Sequence, residues 1–377
     1  MAGAVEVRDQ QVIGTPASRI PSLDGLRGVA IALVLVWHGF FGQFVRSNIL
    51  QKFWWIGSLS WSGVDLFFVL SGFLIGGILL DARQSPNYFS TFYCRRAFRI
   101  LPLYAVLLLA YVILRPTVAG DWFALQVTSV PLAAFFTFTQ NFWMAVPANF
   151  GGGAGLTWSL AIEEQFYLLA PLVVRCLNRR GLLRVLITVV VGAPLLRLLI
   201  LWKIKDGGIA TYVLMPCRVD ALSIGVLCAI AMRSSIAGKV TRLGLPLTIA
   251  LALPLLWLSW CRYTPFSWPM ASFGYSLLAL FYGGCLLLSV SHSASWLEWK
   301  PLRWLGSIAY GTYLLHFALM KFCWRLAGRF LAHLPHGGGI VLFGGSLTAI
   351  ASALALASLS WSYFEKPLVR MGHRYRY

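Results

Sequence analysis

Ten stretches of the 377-residue chain are predominantly apolar, each for about 18 residues or more, enough to cross a ~30 Å hydrocarbon core as a helix. They run at roughly 23–45, 61–82, 98–115, 156–175, 184–202, 211–232, 243–260, 270–291, 303–326 and 340–362. Short polar connections rich in Arg and Lys separate them. The pattern predicts an all-α polytopic transmembrane helix bundle of about ten spans. An eleventh stretch, about 123–143, contains Pro131 and ends on Gln140 and Asn141. If it does not cross, both termini are cytoplasmic and Lys and Arg divide 20 inside to 11 outside; if it does, the split is 15 to 16 and the inside excess vanishes. The expectation is therefore ten spans, with 123–143 a re-entrant or surface helix on the outer side.

Composition strengthens the membrane reading. Hydrophobic residues make up 59% of the chain and charged ones 11%, too little polar material to cover a soluble fold. The net charge of +19 sits in clusters between spans instead of on one basic face, which signals topology and excludes a nucleic-acid partner. The polar N-terminal residues and the long first apolar segment are unlike a cleaved signal. No repeat or linker breaks the chain. Residues 1–20 read as a polar cytoplasmic tail, 21–366 as one transmembrane domain and 367–377 as a basic cytoplasmic tail. The seven cysteines (Cys94, Cys176, Cys217, Cys228, Cys261, Cys285, Cys323) have no CxxC pair or metal-ligand spacing and read as packing residues, so no metal is expected.

Ionisable residues inside a bilayer are costly, and each is a functional candidate. Counting 1.5 Å per residue from the cytoplasmic end of each span, His38 lies about 16 Å above Arg27, Glu163 and Glu164 about 17–18 Å above Arg175, and Asp220 and His316 about 20 Å above Arg233 and Arg303. Four helices thus place titratable groups near one mid-membrane level. Histidine suits proton transfer there, and a carboxylate from a facing helix could fix its tautomer. His38 with Glu163 or Glu164 is the expected catalytic set. His316 is equally deep, but only His38 shares a helix with Arg27. On the cytoplasmic side Arg96 and Arg99 share a helix face at i, i+3, and with Arg27 they would suit a phosphate-bearing ligand, since Arg binds phosphate in a bidentate fork. The plainer reading is topology and lipid headgroups.

Asp65, Ser71 and His316 are assigned to the acceptor side, with Asp65 either at an outer opening or paired with a neighbouring side chain. Arg218 and Asp220 are expected to pair with each other. Trp54, Trp55, Trp61, Trp143 and Trp158 would form an outer aromatic belt. Gly151–Gly153 and Gly155 read as a flexible connection, because a phosphate loop would need a strand before it.

At SLDGLRGVAIALVLVWH (22–38), GVDLFFVLSGFLIGGILL (63–80), RRAFRILPLY (95–104), TWSLAIEEQFYLLAPL (157–172), RVDALSIG (218–225), LGSIAYGTYLLH (305–316) and YFEKPL (363–368), the chain resembles the acyltransferase-3 family of membrane acyltransferases. Its pattern of Arg, ten residues, then His is met by Arg27 and His38, and its Arg-x-x-Arg by Arg96 and Arg99. The resemblance implies a multi-pass enzyme of the bacterial cytoplasmic (inner) membrane. It implies transfer of an acyl group, usually acetyl from acetyl-coenzyme A, to a hydroxyl of an exported, cell-surface or lipid-linked carbohydrate, with polysaccharide-synthesis partners and surrounding membrane lipids. It also favours the phosphate reading of the arginines, because coenzyme A carries a pyrophosphate and a 3′-phosphate. No hydrolase-like domain follows the last span, so a stand-alone form is expected. His38 would either act as general base on the acceptor hydroxyl or briefly carry the acyl group; succinyl or a longer chain is the alternative acyl group, and a small acceptor such as a macrolide is the alternative within enzymes. A transporter is the alternative class, against which stands the lack of inverted repeats.

Overall fold

A computed structural model describes residues 20–42, 54–114, 130–151, 154–291, 294–331 and 337–377. The expected N-terminal tail up to residue 19, the stretch 123–129, and Gly152 and Gly153 lie outside these. Hydrocarbon offers backbone groups no partners, so the chain must satisfy them within helices. The main elements are α1 (Pro21–Val36), α2 (Gly63–Asp81), α3 (Tyr88–Leu114), α4 (Trp158–Cys176), α5 (Arg179–Lys203), α6 (Val219–Met232), α7 (Ala237–Trp260), α8 (Tyr275–Val290), α9 (Lys300–Ser307), α10 (Ala309–Leu331), α11 (Gly337–Ser360) and α12 (Lys366–Gly372). No strand occurs among the described residues. Wide π turns extend α1 (Trp37–Phe41), lead into α8 (Met270–Gly274) and join α11 to α12 (Trp361–Glu365).

The described part of each of the ten apolar stretches is largely helical, and seven helices among the described residues are long and apolar enough to cross a membrane. The three stretches without such a helix are either broken or hold three charged side chains in one helix. The one at 156–175 forms α4, which holds Glu163, Glu164 and Arg175 in 19 residues. The one at 211–232 is broken between Gly208–Val213 and the 14-residue α6. The one at 303–326 is broken at Ile308, between α9 and α10. The chain is an integral, multi-pass membrane protein.

Long-range hydrogen bonds gather several connections at one end of the bundle. Arg83 donates to the carbonyl of Leu177, Arg233 pairs with Asp81 at 2.7 Å, and Arg95 and Thr91 hold the carbonyls of Tyr375 and Arg376. The described part of 123–143 makes no single span. It folds into two short helices, Leu132–Phe136 and Gln140–Met144, wedged against α3 and α4. Tyr104 of α3 donates to the Phe135 carbonyl at 2.9 Å. Gln165 of α4 donates to the Phe138 carbonyl at 2.7 Å and to Asn141 Oδ1 at 2.9 Å. The polar residues that interrupt the apolar pattern are thus the wedge's anchors.

Small residues let helices touch backbone to backbone, as is usual in membranes. A methyl group at Gly72 would collide with the Leu222 carbonyl, and one at Gly225 with that of Val69, so α2 and α6 are in close contact. Beside this crossing lies a buried ionic core. Arg218 pairs with Asp65 at 2.7 Å, and Arg197 with Asp220 at 3.0 Å, all four side chains at most 1% exposed. The guanidinium of Arg218 also lies 4.0 Å from the Tyr275 ring centre, and Arg197 donates to Ser276 Oγ and the carbonyls of Ser272 and Cys217.

Two expectations are corrected here. Arg218 and Asp220 do not pair with each other, because side chains two residues apart on a helix point to opposite sides, so Arg218 reaches α2 and Asp220 reaches α5. Of the two readings of Asp65 the paired one holds, and its assignment to an acceptor opening falls, since its charge is neutralised inside the bundle by Arg218. The aromatic belt is corrected in part. Trp61 and Trp158 are 2% and 3% exposed and pack on Tyr212, whereas Trp55 and Trp143 do face outward.

Removing one member of a buried pair strands the other charge, at a cost of about 3–5 kcal/mol. Arg218→Met should therefore markedly lower the thermal unfolding midpoint in detergent. The double variant Arg218→Met with Asp65→Asn should recover part of that loss, and equal midpoints for the single and double variants would argue against the pair.

Candidate active site

A cavity of about 300 Å³ opens between α1, α2, α3, α4, α9, α10 and the α11–α12 turn. α1 contributes Arg27, held by Asp24 one turn away at 3.3 Å. α3 contributes Arg96 and Arg99, whose i, i+3 spacing turns both to the same side. α4 contributes Ser159, Glu163 and Tyr167; α2 contributes Phe67 and Ser71; Tyr310 and Tyr313 come from α10. Glu365 and His373 close the lining from the α12 side.

The walls are tied by hydroxyl bridges. Tyr167 OH lies 2.6 Å from Ser71 Oγ and donates to Glu163 Oε2 at 3.2 Å. The Tyr313 hydroxyl lies 2.6 Å from Ser159 Oγ and within 3.0 Å of the Leu156 carbonyl. The Arg96 guanidinium stands over the Tyr167 ring at 5.7 Å.

Of the groups expected at one level, two meet. His316 Nε2 lies 3.3 Å from His38 Nδ1. The proton positions follow from the backbone. A carbonyl only accepts, so the 2.7 Å contact from His316 Nδ1 to the Tyr313 carbonyl puts a hydrogen on that nitrogen. In a neutral ring Nε2 is then the acceptor, and it receives the Nδ1–H of His38, which also lies 3.0 Å from the Val34 carbonyl. His38 Nε2 is left with an open lone pair. The π turn helps to hold this arrangement: Gly42 N–H closes on the Trp37 carbonyl five residues back at 2.7 Å, and Ser346 Oγ binds the Gly39 carbonyl at 2.6 Å. Such turns recur at functional sites.

The expected site residues therefore divide. Arg27, Arg96, Arg99, Glu163 and Ser71 share the cavity. His38 is not in its lining; it connects to the cavity through His316 and Tyr313, whose rings are 5.8 Å apart. The group found against His38 Nδ1 is His316 and not a carboxylate, since Glu163 is engaged by Tyr167. Glu164 sits behind the lining, half-buried, with its Oε1 unpartnered among the described residues. Asp65 and Asp220 belong to the ionic core. Sequence reasoning missed Arg197, although an Arg inside an apolar stretch was the signal. It also missed Tyr167, Tyr313 and His373, which carry no spacing signal.

All the sequence motifs quoted above except RVDALSIG contribute at least one residue to this cavity. A helix bundle that holds three guanidiniums and a histidine pair inside an apolar shell belongs to the class of membrane proteins equipped for polar group chemistry within the bilayer. The chain belongs to the acyltransferase-3 family, whose profile, described as an acyltransferase domain, matches residues 20–363. It is similar to YrhL of Bacillus subtilis, provisionally named a peptidoglycan O-acetyltransferase, with 28% identity over 94% of this chain and 56% of that protein. It is 27% identical to the peptidoglycan O-acetyltransferase OatA of Listeria monocytogenes, over 94% of this chain and 56% of the relative. The same identity and share of this chain hold for the O-acetyltransferase OatA of Staphylococcus aureus, over 58% of that protein. The chain thus spans somewhat more than half the length of these curated relatives. No solved structure matches it.

Tyr167→Phe deletes the hydroxyl that joins α2 to α4, and hydrogen bonds of this kind contribute about 0.5–1.5 kcal/mol each. The variant should unfold at a lower temperature than wild type, and an unchanged midpoint would show that the bridge carries no stability.

Proposed function

We propose that the protein is an O-acyltransferase, in the first instance an O-acetyltransferase, taking its acyl group from acyl-coenzyme A at the cytoplasmic side and passing it to a hydroxyl of a cell-wall or other surface glycan. The observation that carries the proposal is the cavity with Arg27, Arg96 and Arg99 together in its wall and the His38–His316 pair beyond Tyr313. The residues suit the donor. Arginine is the preferred partner of phosphate, and about 300 Å³ admits the slender acyl-bearing arm while the nucleotide end stays at the mouth. The basic end of the bundle, where 81–95, Leu177 and the C-terminal residues meet, is read as the cytoplasmic face because the inside excess of Lys and Arg falls there. The glycan acceptor rests on the names of the relatives, and a bacterial cytoplasmic membrane location goes with it.

His38 Nε2 is the base in this scheme. It takes the proton of the acceptor hydroxyl as the oxygen attacks the thioester carbonyl; the carbon–sulfur bond breaks, and the proton passes on to the departing thiolate. His316 supports the step by holding His38 in the Nε2-basic tautomer and spreading the charge that develops on its ring. Glu163, held by Tyr167, faces the arginines and orients them in the absence of donor. Ser71 and Tyr313 offer hydroxyls to the acyl-bearing arm.

General acid–base catalysis contributes about 10²–10⁴-fold. His38→Ala should reduce thiol release from acetyl-coenzyme A in the presence of glycan by that range, with normal expression and monodispersity; near-normal turnover would sink the proposal. His316→Ala should lose about 10²-fold in turnover, toward the lower end of the same range. Arg96→Gln and Arg99→Gln should each weaken coenzyme A binding roughly tenfold or more, as expected for a lost charge-assisted hydrogen bond of about 1.5–3 kcal/mol. Solute flux without thioester loss would support the transporter reading instead.

A further inference from the structure

We infer that His373 is a fourth cationic ligand for the phosphate-bearing donor, neutral in the free protein and taking up a proton as the donor binds. The inference rests on the proposed donor site and extends it to the C-terminal segment, which the sequence marked only as a basic tail.

The segment is held in place. After α12 the chain turns back over α3, where Arg95 Nε and Nη2 donate to the Tyr375 carbonyl at 3.0 and 2.6 Å and Thr91 Oγ1 donates to that of Arg376 at 2.9 Å. Phe98 packs on Tyr375, and Arg95 stands over the Tyr377 ring at 4.9 Å. This strap sets His373 in the cavity wall beside Arg96 and Arg99, with its side chain still reachable from solvent. His373 also caps the end of α12, its N–H bonded to the Val369 carbonyl at 3.0 Å, and the negative end of a helix favours a protonated imidazole.

Opposing this are the charges around it. Arg95, Arg96 and Arg99 face it from α3, Arg27 from α1, and Lys366, Arg370, Arg374 and Arg376 flank it in sequence. Glu163 and Glu365 share the cavity, and Tyr310, Tyr375 and Tyr377 are the neighbouring phenols. Partial burial first, and then the field of Arg95, Arg96 and Arg99, lowers the pKa of His373 below its ordinary 6.5. A bound polyphosphate reverses that field and supplies an acceptor for Nδ1–H or Nε2–H. The sign follows. The bound-state pKa lies above the free-state value, so binding takes up a proton. Affinity is highest at low pH, falls as pH rises through the bound-state pKa, and levels off above it.

The test is calorimetric titration of the purified full chain with coenzyme A between pH 5.5 and 8, in buffers of different ionisation enthalpy. Each measurement compares wild type with His373→Gln, so that titration of the ligand's own phosphate cancels. Wild type should bind more tightly than the variant at pH 6, by up to about tenfold for a one-unit pKa change, with the gap closing toward pH 8 and extra proton uptake in wild type alone. His373→Lys, with a fixed charge, should keep the low-pH affinity at pH 8. Equal affinities of wild type and His373→Gln across the range, or a weakened His373→Lys, would overturn the assignment while leaving the donor site intact. Failure of wild type to bind coenzyme A at all would overturn the donor site and this inference with it.

Discussion

Two ion pairs buried where there is no water organise this bundle. A lone guanidinium at that depth would be expelled or neutralised, and a lone carboxylate likewise. Arg218 with Asp65 and Arg197 with Asp220 satisfy one another only if α2, α5 and α6 come together in one arrangement, with Ser276 of α8 completing the set. That fixes α2. One part of α2 is then committed to the ionic core and to the tight crossing at Gly72, while Phe67 and Ser71 are presented to the cavity. The ions act as a key for assembly, because a misregistered helix would leave charges stranded.

The protein thereby separates two uses of charge. In the ionic core positive and negative groups cancel, and the surrounding aromatic rings of Tyr212 and Tyr275 take up what remains of Arg218. In the cavity the cations face open space, tempered by Asp24, Glu163 and Glu365. The histidine pair stands apart from both, reached through tyrosines, and depends on carbonyls of its own helices for its proton arrangement.

Much of this was legible in the chain. Hydrophobic runs gave every long helix, since the bilayer enforces length and composition directly. The positive-inside bias kept 123–143 out of the spans, and the described part of it is indeed a wedge of short helices. Arg96 and Arg99 were found together because local spacing on a helix decides which face a side chain takes, and Arg27 joined them by its place at the cytoplasmic foot of α1. Pairing between helices was not legible. Asp220 lies two residues from Arg218, and nearness in sequence suggested a bond that the helix geometry forbids; the true partners, Asp65 and Arg197, are 153 and 23 residues away from Arg218 and Asp220 respectively. Depth counting correctly brought His38 and His316 to one level but could not say that they face each other.

The wide turn at Trp37–Phe41 has a consequence for how this chain tolerates change in length. It accommodates one residue more than an ordinary helical turn, so the residues it carries, His38 and Gly39 among them, are offset from the faces that an uninterrupted α-helix would give them. Losing a single residue there would leave hydropathy, charge and every recognisable motif nearly untouched, yet would turn the end of the helix to a different neighbour. For this span the reading frame of the helix, and not its chemistry, is the quantity under tightest constraint.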